Sequence, residues 1–538
     1  MSPLVALGVL RRLLRASGEV GTTFADSRIV MSHDIERTDD AAGRRRTIAI
    51  VAIAAGFGAL TMWLASSLNI WQDEWYSLRT TSRDLRFAWT TAIGFEGIPP
   101  LYPLVLDLWR HINDSVFFAR LLSIVCVAGA AIVGARIAHR WMPRAPAVAV
   151  AGAIAFNAFS IYAAVEIRLY AMALLLSAAI VATFFDAFVD ERARARDVVA
   201  FVAVSVVAIY VQYFDVALLI GGALALASLR RGRALGTYAI TMVVVALACS
   251  PIALFIREQL GVPRSLDASS AGIVPLAETV FAFALPHDAL ANWFSDRRNL
   301  AYDAGVLAIV VAIVAAKPRL SIAAQVLGSF VLAGFAFYPI AATIFHQTFL
   351  FPRHAVVLVV PVLLLVVAII DATRVPALPM RLYFGIYALC SLAALVVTYR
   401  GLAKPGDFAR ASTFLRSHVH AGARIYAFDQ EMVGPLAYYD RDDRIIPLPQ
   451  AQDFARFDAS QFRLRSDQDV RDRMGPVAPG AHVLLYRGDV CYDPADQFGC
   501  RFLEDVVRAD YRTVASRDLR SANVRELIHR TSPSASGR

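Results

Sequence analysis

The chain has 538 residues, 57% of them hydrophobic and only 18% charged, with a mean hydropathy of +0.53. A water-soluble protein of this size does not carry so much apolar surface, so membrane spans must absorb the excess. The formal net charge of +9 is not a nucleic-acid signal, because most of the Arg stands in short clusters between apolar runs, where retention on the cytoplasmic side explains it.

Residues 3–10 are apolar and are followed by Arg11, Arg12 and Arg15, the wrong charge order for a secretory signal peptide. Residues 31–46 are polar without helical periodicity, so residues 1–46 read as a disordered cytoplasmic tail, with Met31 as an alternative start to Met1. Arg44-Arg45-Arg46 then precedes the first apolar run, residues 47–69, which places the chain start in the cytoplasm by the positive-inside rule. Further spans are expected near 116–138, 146–164, 169–189, 198–214, 215–229, 235–256, 300–316, 321–345, 355–373 and 382–399, about eleven with the first. Basic clusters fall on alternate connections: Arg136, Arg140 and Arg144; Arg192, Arg194 and Arg196; Arg230, Arg231 and Arg233; Lys317 and Arg319; Arg374 and Arg381. Two shorter apolar pieces, residues 99–109 and 274–293, carry Pro and acidic residues and read as interfacial or re-entrant helices.

The outer connections collect the polar residues. Asp73 and Glu74 stand among aromatics in Trp71-Gln72-Asp73-Glu74-Trp75-Tyr76-Ser77, where the first span meets water. Carboxylates at that level can meet a polar substrate while neighbouring side chains hold a lipid; the plainer reading is a solvated loop with an interfacial aromatic belt. The same loop holds an amphipathic run at 84–91 and then Pro99-Pro100-Leu101-Tyr102. A tight turn between later spans carries Tyr162, Glu166, Arg168 and Tyr170, which reads either as the wall of a polar cavity or as a local Glu–Arg pair finishing two helices. Gln212, Tyr213 and Asp215 mark the next outer connection. Arg353 and His354 open a late span, and an outward Arg runs against the positive-inside trend, which favours an anion contact.

These segments together resemble the polytopic glycosyltransferases of the C-type fold. Asp73-Glu74 after the first span, Pro99-Pro100-Leu101-Tyr102 closing its loop, Glu166-Ile167-Arg168-Leu169-Tyr170 between spans, and Arg353-His354 with Pro361 beyond follow the order of the bacterial family that includes lipid A aminoarabinose transferases and protein O-mannosyltransferases. The likeness covers roughly residues 47–400. It departs at Ile98, where relatives commonly have His, and at His354, where they commonly have Tyr. The resemblance implies an enzyme that moves a sugar from a polyprenyl-phosphate donor to a cell-envelope glycan, lipid or protein acceptor, with inversion, on the outer face of the cytoplasmic membrane. It implies Asp73 as the base toward the acceptor, Glu74 as its orienter or as a ligand of an optional divalent cation, Glu166, Arg168 and Tyr170 in the donor pocket, and Arg353 with His354 at the leaving phosphate. Pro99, Pro100 and Tyr102 would shape the acceptor loop, and apolar grooves between spans would hold the prenyl tail.

The domains expected on this reading are the tail at 1–46, a transmembrane domain at 47–399 and a soluble extracytoplasmic α/β domain at 400–538. In the last, residues 407–418 read as an amphipathic helix and residues 423–428 and 481–486 as strands. Tyr438-Tyr439 is open to two readings, a sugar-stacking pair or core. Cys491 and Cys500 form a C-x8-C pair on the side where an oxidising compartment permits a disulfide, whereas Cys126, Cys249 and Cys390 fall within spans. Two other classes fit a polytopic chain. A secondary transporter would show internal repeats and polar residues in mid-span, and a non-enzymatic envelope-glycan-binding protein would not need so many spans.

Overall fold

Among the described residues, helices dominate the first four hundred positions, and one five-stranded sheet organises those that follow. This computed structural model describes residues 33–259, 273–286, 320–345, 352–440, 444–455, 458–492 and 496–531. Among the described residues, seven helices are long and apolar enough to cross a membrane: Thr47–Ser67, Val116–Trp141, Tyr170–Val189, Gly232–Ala253, Ile322–Ala341, Arg353–Asp371 and Ala377–Thr398. The pair Ala147–Ala155 and Ala158–Ala164, bent by 58° around Asn157, makes an eighth where it is counted as one span and is otherwise a re-entrant loop. The chain is a multi-pass membrane protein. The spans expected at 198–214 and 215–229 are the shorter helices Ala195–Val211 and Val216–Ser228. The span expected at 300–316 lies outside the described residues, as does most of the expected tail. The first helix is described from His33 on, so residues 33–46 are helical where a disordered tail was expected. Ala41, Ala42 and the three Arg are good helix formers, and propagation from an existing helix needs no new nucleus.

The chain divides into two compact units. The helical unit is Met1–Trp63, Arg120–Phe255 and Ala271–Thr398; the sheet unit is Leu64–Ala119, Ile256–Ser270 and Tyr399–Arg538. The loop carrying the acidic pair therefore packs with the C-terminal domain. Within the helical unit, Val216–Ser228 and Ile322–Phe345 approach so closely that a Cβ on Gly221 would come within 2.6 Å of the Phe330 backbone. Small residues allow such approach where apolar burial cannot drive association, because lipid is as apolar as the helix. One end of this unit is tied by its basic residues. Arg140 binds Asp186 and Asp190, Arg231 donates to the Val189 carbonyl at 2.6 Å, and the Arg144 backbone N–H donates to Asp371 Oδ1 at 2.9 Å. The connections at 136–144, 186–197, 230–233 and 371–374 thus share one end of the helices.

In the sheet unit five strands, β1 (Arg424–Phe428), β2 (Ile445–Leu448), β3 (His482–Arg487), β4 (Tyr511–Leu519) and β5 (Ala522–His529), lie in the order β2-β1-β3-β5-β4. The first three are parallel, and β5 and β4 are antiparallel additions. Alternation places Ile425, Ala427, Leu484 and Tyr486 on one face, covered by Phe408–His418 and Val433–Asp440. Tyr426, Phe428, Val483 and Leu485 form the other face, against Asp467–Met474 and Cys500–Asp510. The expected helix and the two expected strands are all present. Cys491 and Cys500 are joined in a disulfide, with their Cα atoms 5.4 Å apart.

Candidate active-site residues

Trp71 is extended, and Gln72–Thr80 is helical from the next residue on, so Asp73 and Glu74 occupy the first turn, where unsatisfied N–H groups favour carboxylates. Glu74 turns back to accept from the Trp71 N–H at 3.3 Å and lies fully buried, 2.8 Å from the Lys404 ammonium. Lys404 in turn donates its backbone N–H to Asn69 Oδ1 at 2.7 Å. Asp73, one residue earlier, is half-buried. Asp73, expected as the base, and Glu74, expected to orient it or to help hold a cation, are therefore in different surroundings.

The sheet unit holds this helix along its length. The Ile70 N–H donates to the Tyr439 hydroxyl at 2.7 Å, which gives Tyr439 a structural partner, while Tyr438 stays exposed. Gln72 and Tyr76 both donate to Glu431, just past the end of β1, and Tyr76 also reaches Gln452 at 3.0 Å. Burial, and then the facing Glu431 carboxylate, push the Tyr76 phenol well above the usual range, so it stays a proton donor at any physiological pH. Trp75 lies against Gly434, where a Cβ would come within 2.3 Å of the indole. At the far end Arg110 donates to the carbonyls of Leu78 and Thr81, both at 2.8 Å, satisfying the open end of the helix. Arg110 comes from Leu101–Arg110, the helix that the expected acceptor loop introduces. Gly97 is left-handed at φ 63° and ends Ala92–Glu96; buried Pro99 and Pro100 follow, and Tyr102 is buried in the first turn of the next helix.

The remaining expected residues belong to the helical unit. Glu166 and Arg168 lie in the turn between Ala158–Ala164 and Tyr170–Phe184; Glu166 is buried and its carbonyl accepts from Ser123 Oγ at 2.7 Å. Tyr170 is buried, its ring 6.2 Å from that of Tyr162. Arg353 and His354 are half-buried in the 3-10 turn Pro352–Leu358, which packs on Tyr170–Phe184 through the Ser177 hydroxyl and the Val357 carbonyl. The His354 ring stacks on Phe214 at 5.2 Å, and its carbonyl accepts from the Tyr338 hydroxyl at 2.7 Å. Packing thus brings together the elements that carry Glu166, Arg168, Tyr170, Arg353 and His354, while Asp73, Glu74, Pro99, Pro100 and Tyr102 belong to the sheet unit.

Two charged residues gain weight that the sequence did not give them. Asp215 follows Phe214 and is fully buried, and neither carboxylate oxygen has a hydrogen-bond partner among the described residues. Arg120 is fully buried within Val116–Trp141, where hydropathy averaging hid it inside an apolar run. Ionisable residues are costly at such depth. For a metal, one group of three stands close enough to share an ion among the described residues, His420, His482 and Glu526 on the sheet.

No protein-family model matches the sequence, and no curated protein matches it. Solved structures do. The crystal structure of ArnT from Cupriavidus metallidurans bound to undecaprenyl phosphate superposes with a TM-score of 0.53 at 16% identity, over 91% of this chain and 99% of that one. The apo structure of the same protein gives 0.51 at 14% identity, over 90% and 98%. The fold is that of the C-type glycosyltransferases. At this identity the likeness concerns the fold, and it runs through the C-terminal sheet as well as the spans, further than the 47–400 that the motifs covered.

Proposed function

We propose that the protein is an integral-membrane glycosyltransferase that moves a sugar from a polyprenyl-phosphate donor to a cell-envelope acceptor on the outer face of the cytoplasmic membrane, with inversion. The observation that carries this reading is the extent of the fold likeness, which spans nearly all of both chains, to an ArnT structure bound to undecaprenyl phosphate. Asp73 is the base: it takes the proton of the acceptor hydroxyl as that oxygen attacks the anomeric carbon. The bond from that carbon to the phosphate oxygen breaks, and the phosphate leaves with the electron pair. Arg353 meets the growing phosphate charge, with a planar fork that fits two of its oxygens. Glu166, Arg168 and Tyr170 hold the donor. Glu74, committed to Lys404, serves by fixing the helix that presents Asp73.

The Arg-rich end of the helical unit is assigned to the cytoplasm and residues 400–538 to the outside, which also suits the Cys491–Cys500 disulfide. The test is transfer from a polyprenyl-phosphate sugar by the full chain. Asp73→Asn keeps size and hydrogen bonding but removes the basic lone pair, so transfer falls on the order of 10²- to 10⁴-fold. Arg353→Ala abolishes donor use, and Arg353→Lys retains part of it. Near-normal transfer by Asp73→Asn removes Asp73 from the mechanism.

A further inference from the structure

Three segments distant in sequence converge at the end of the sheet where β1 and β3 begin. His420 follows the helix Phe408–His418 and precedes β1, His482 is the first residue of β3, and Glu526 lies in β5. The β3–β5 register pairs Leu484 with Glu526 and His482 with Ile528, so His482 and Glu526 are diagonal neighbours on one face. His420 Nε2 lies 2.9 Å and His482 Nδ1 2.7 Å from the same oxygen, Glu526 Oε1, and the two imidazole centroids are 4.1 Å apart. Glu526 is 4% exposed, whereas the His420 side chain is half-open to solvent.

Neither the transfer chemistry nor the packing of the sheet uses this trio. A core would have filled the position with apolar side chains, and a surface ion pair would not have buried the carboxylate. Two imidazole nitrogens and one carboxylate oxygen within 4.8 Å of one another, with the His420 side chain half-open to water, are the donor set of a borderline cation. We propose that His420, His482 and Glu526 form a binding site for a divalent first-row transition cation, Zn²⁺ foremost, with water completing its coordination. Bonds of about 2.0–2.1 Å place tetrahedral ligand atoms roughly 3.3 Å apart, so the trio has to open by about half an ångström. The half-open His420 side chain and the partly open His482 side chain supply that movement. Hard cations such as Mg²⁺ and Ca²⁺ prefer all-oxygen shells and are discriminated against by the two imidazoles. Bound metal would tie the segment before β1 to β3 and β5, at the end of the strands opposite Glu431 and the acid-pair helix, so the proposal stands apart from the transferase reading.

The test is zinc titration of the chelator-stripped full chain in detergent, by calorimetry and by the visible absorption of Co²⁺ as a probe. One Zn²⁺ per chain is expected, with a Co²⁺ spectrum of nitrogen and oxygen ligation and a rise in melting temperature on adding Zn²⁺. Loss of a supporting residue around such a site costs 10- to 100-fold in affinity, so loss of a ligand, in His420→Ala or Glu526→Gln, lowers it at least about 100-fold and abolishes the melting shift. His420→Ala changes an exposed side chain and keeps the fold, and unchanged circular dichroism confirms that. Absence of Zn²⁺ binding at micromolar free metal leaves a hydrogen-bonded trio only and overturns the proposal. So does wild-type affinity in both variants, which moves the ion to another site, and so does equal binding of Mg²⁺.

Discussion

Internal packing in the helical unit and internal packing in the sheet unit rest on opposite means. In the first, helices meet where side chains are missing: Gly221 against Phe330, Gly222 against Tyr238 and Phe184, and Gly334 against Leu358. In the second, the acid-pair helix is held by buried polar groups: Glu74 by Lys404, Tyr76 by Glu431, and the last carbonyls by Arg110. The difference follows from solvent. Between spans dispersion and close fit are what remain to favour contact, whereas in the sheet unit each polar group leaving water must find a partner.

The largest expected effect breaks the charge side of that contrast. Lys404→Met removes the ammonium facing a fully buried carboxylate and should destabilise the sheet unit by roughly 3–5 kcal/mol, with Glu74→Gln in the same chain restoring much of it. Denaturant unfolding of single and double variants measures this; equal loss in the double variant would break the argument. Replacing both Cys491 and Cys500 by Ser should cost about 2.5 kcal/mol for so short a loop, read as a lower melting temperature only in non-reducing buffer. On the shape side, Gly221→Ala sets a Cβ against backbone and should cost about 1–3 kcal/mol, seen as faster thermal inactivation in detergent. Gly434→Ala presses on the Trp75 indole instead and should cost a similar amount while also lowering transfer, because Trp75 lies on the helix that carries Asp73. The smallest change concerns sidedness. Ser466 is exposed at a helix N-cap, so Ser466→Cys costs about 1 kcal/mol and should be labelled in intact cells. Labelling only after permeabilisation would place the sheet unit on the other side of the membrane.

Legibility differed between the units for the same physical reason. A span satisfies its own backbone, so length and apolarity announce it, as they did for 47–69 and 116–138. β1 and β3 were readable because they are continuous apolar runs buried on both faces. The strands β4 and β5 were missed: β4 is largely exposed and studded with Arg and Asp, and their hairpin turns at Arg520-Ser521, without the usual Asn-Gly signal.

The sequence by itself determined the membrane class, the alternation of basic connections, and the placing of Asp73 and Glu74 together just past the first span. Its short motifs also resemble, in order and spacing, those of the C-type glycosyltransferases, and the fold likeness agrees with that resemblance. Only the tertiary structure decided that Glu74 belongs to Lys404, that Tyr439 anchors Ile70 across 369 residues, and that two histidines and a glutamate meet at one end of the central strands. The reason is the range of the interactions. Hydropathy and helix capping act within one or two turns and are written in adjacent letters, whereas a buried carboxylate takes its partner from whichever segment the fold brings within about 3 Å.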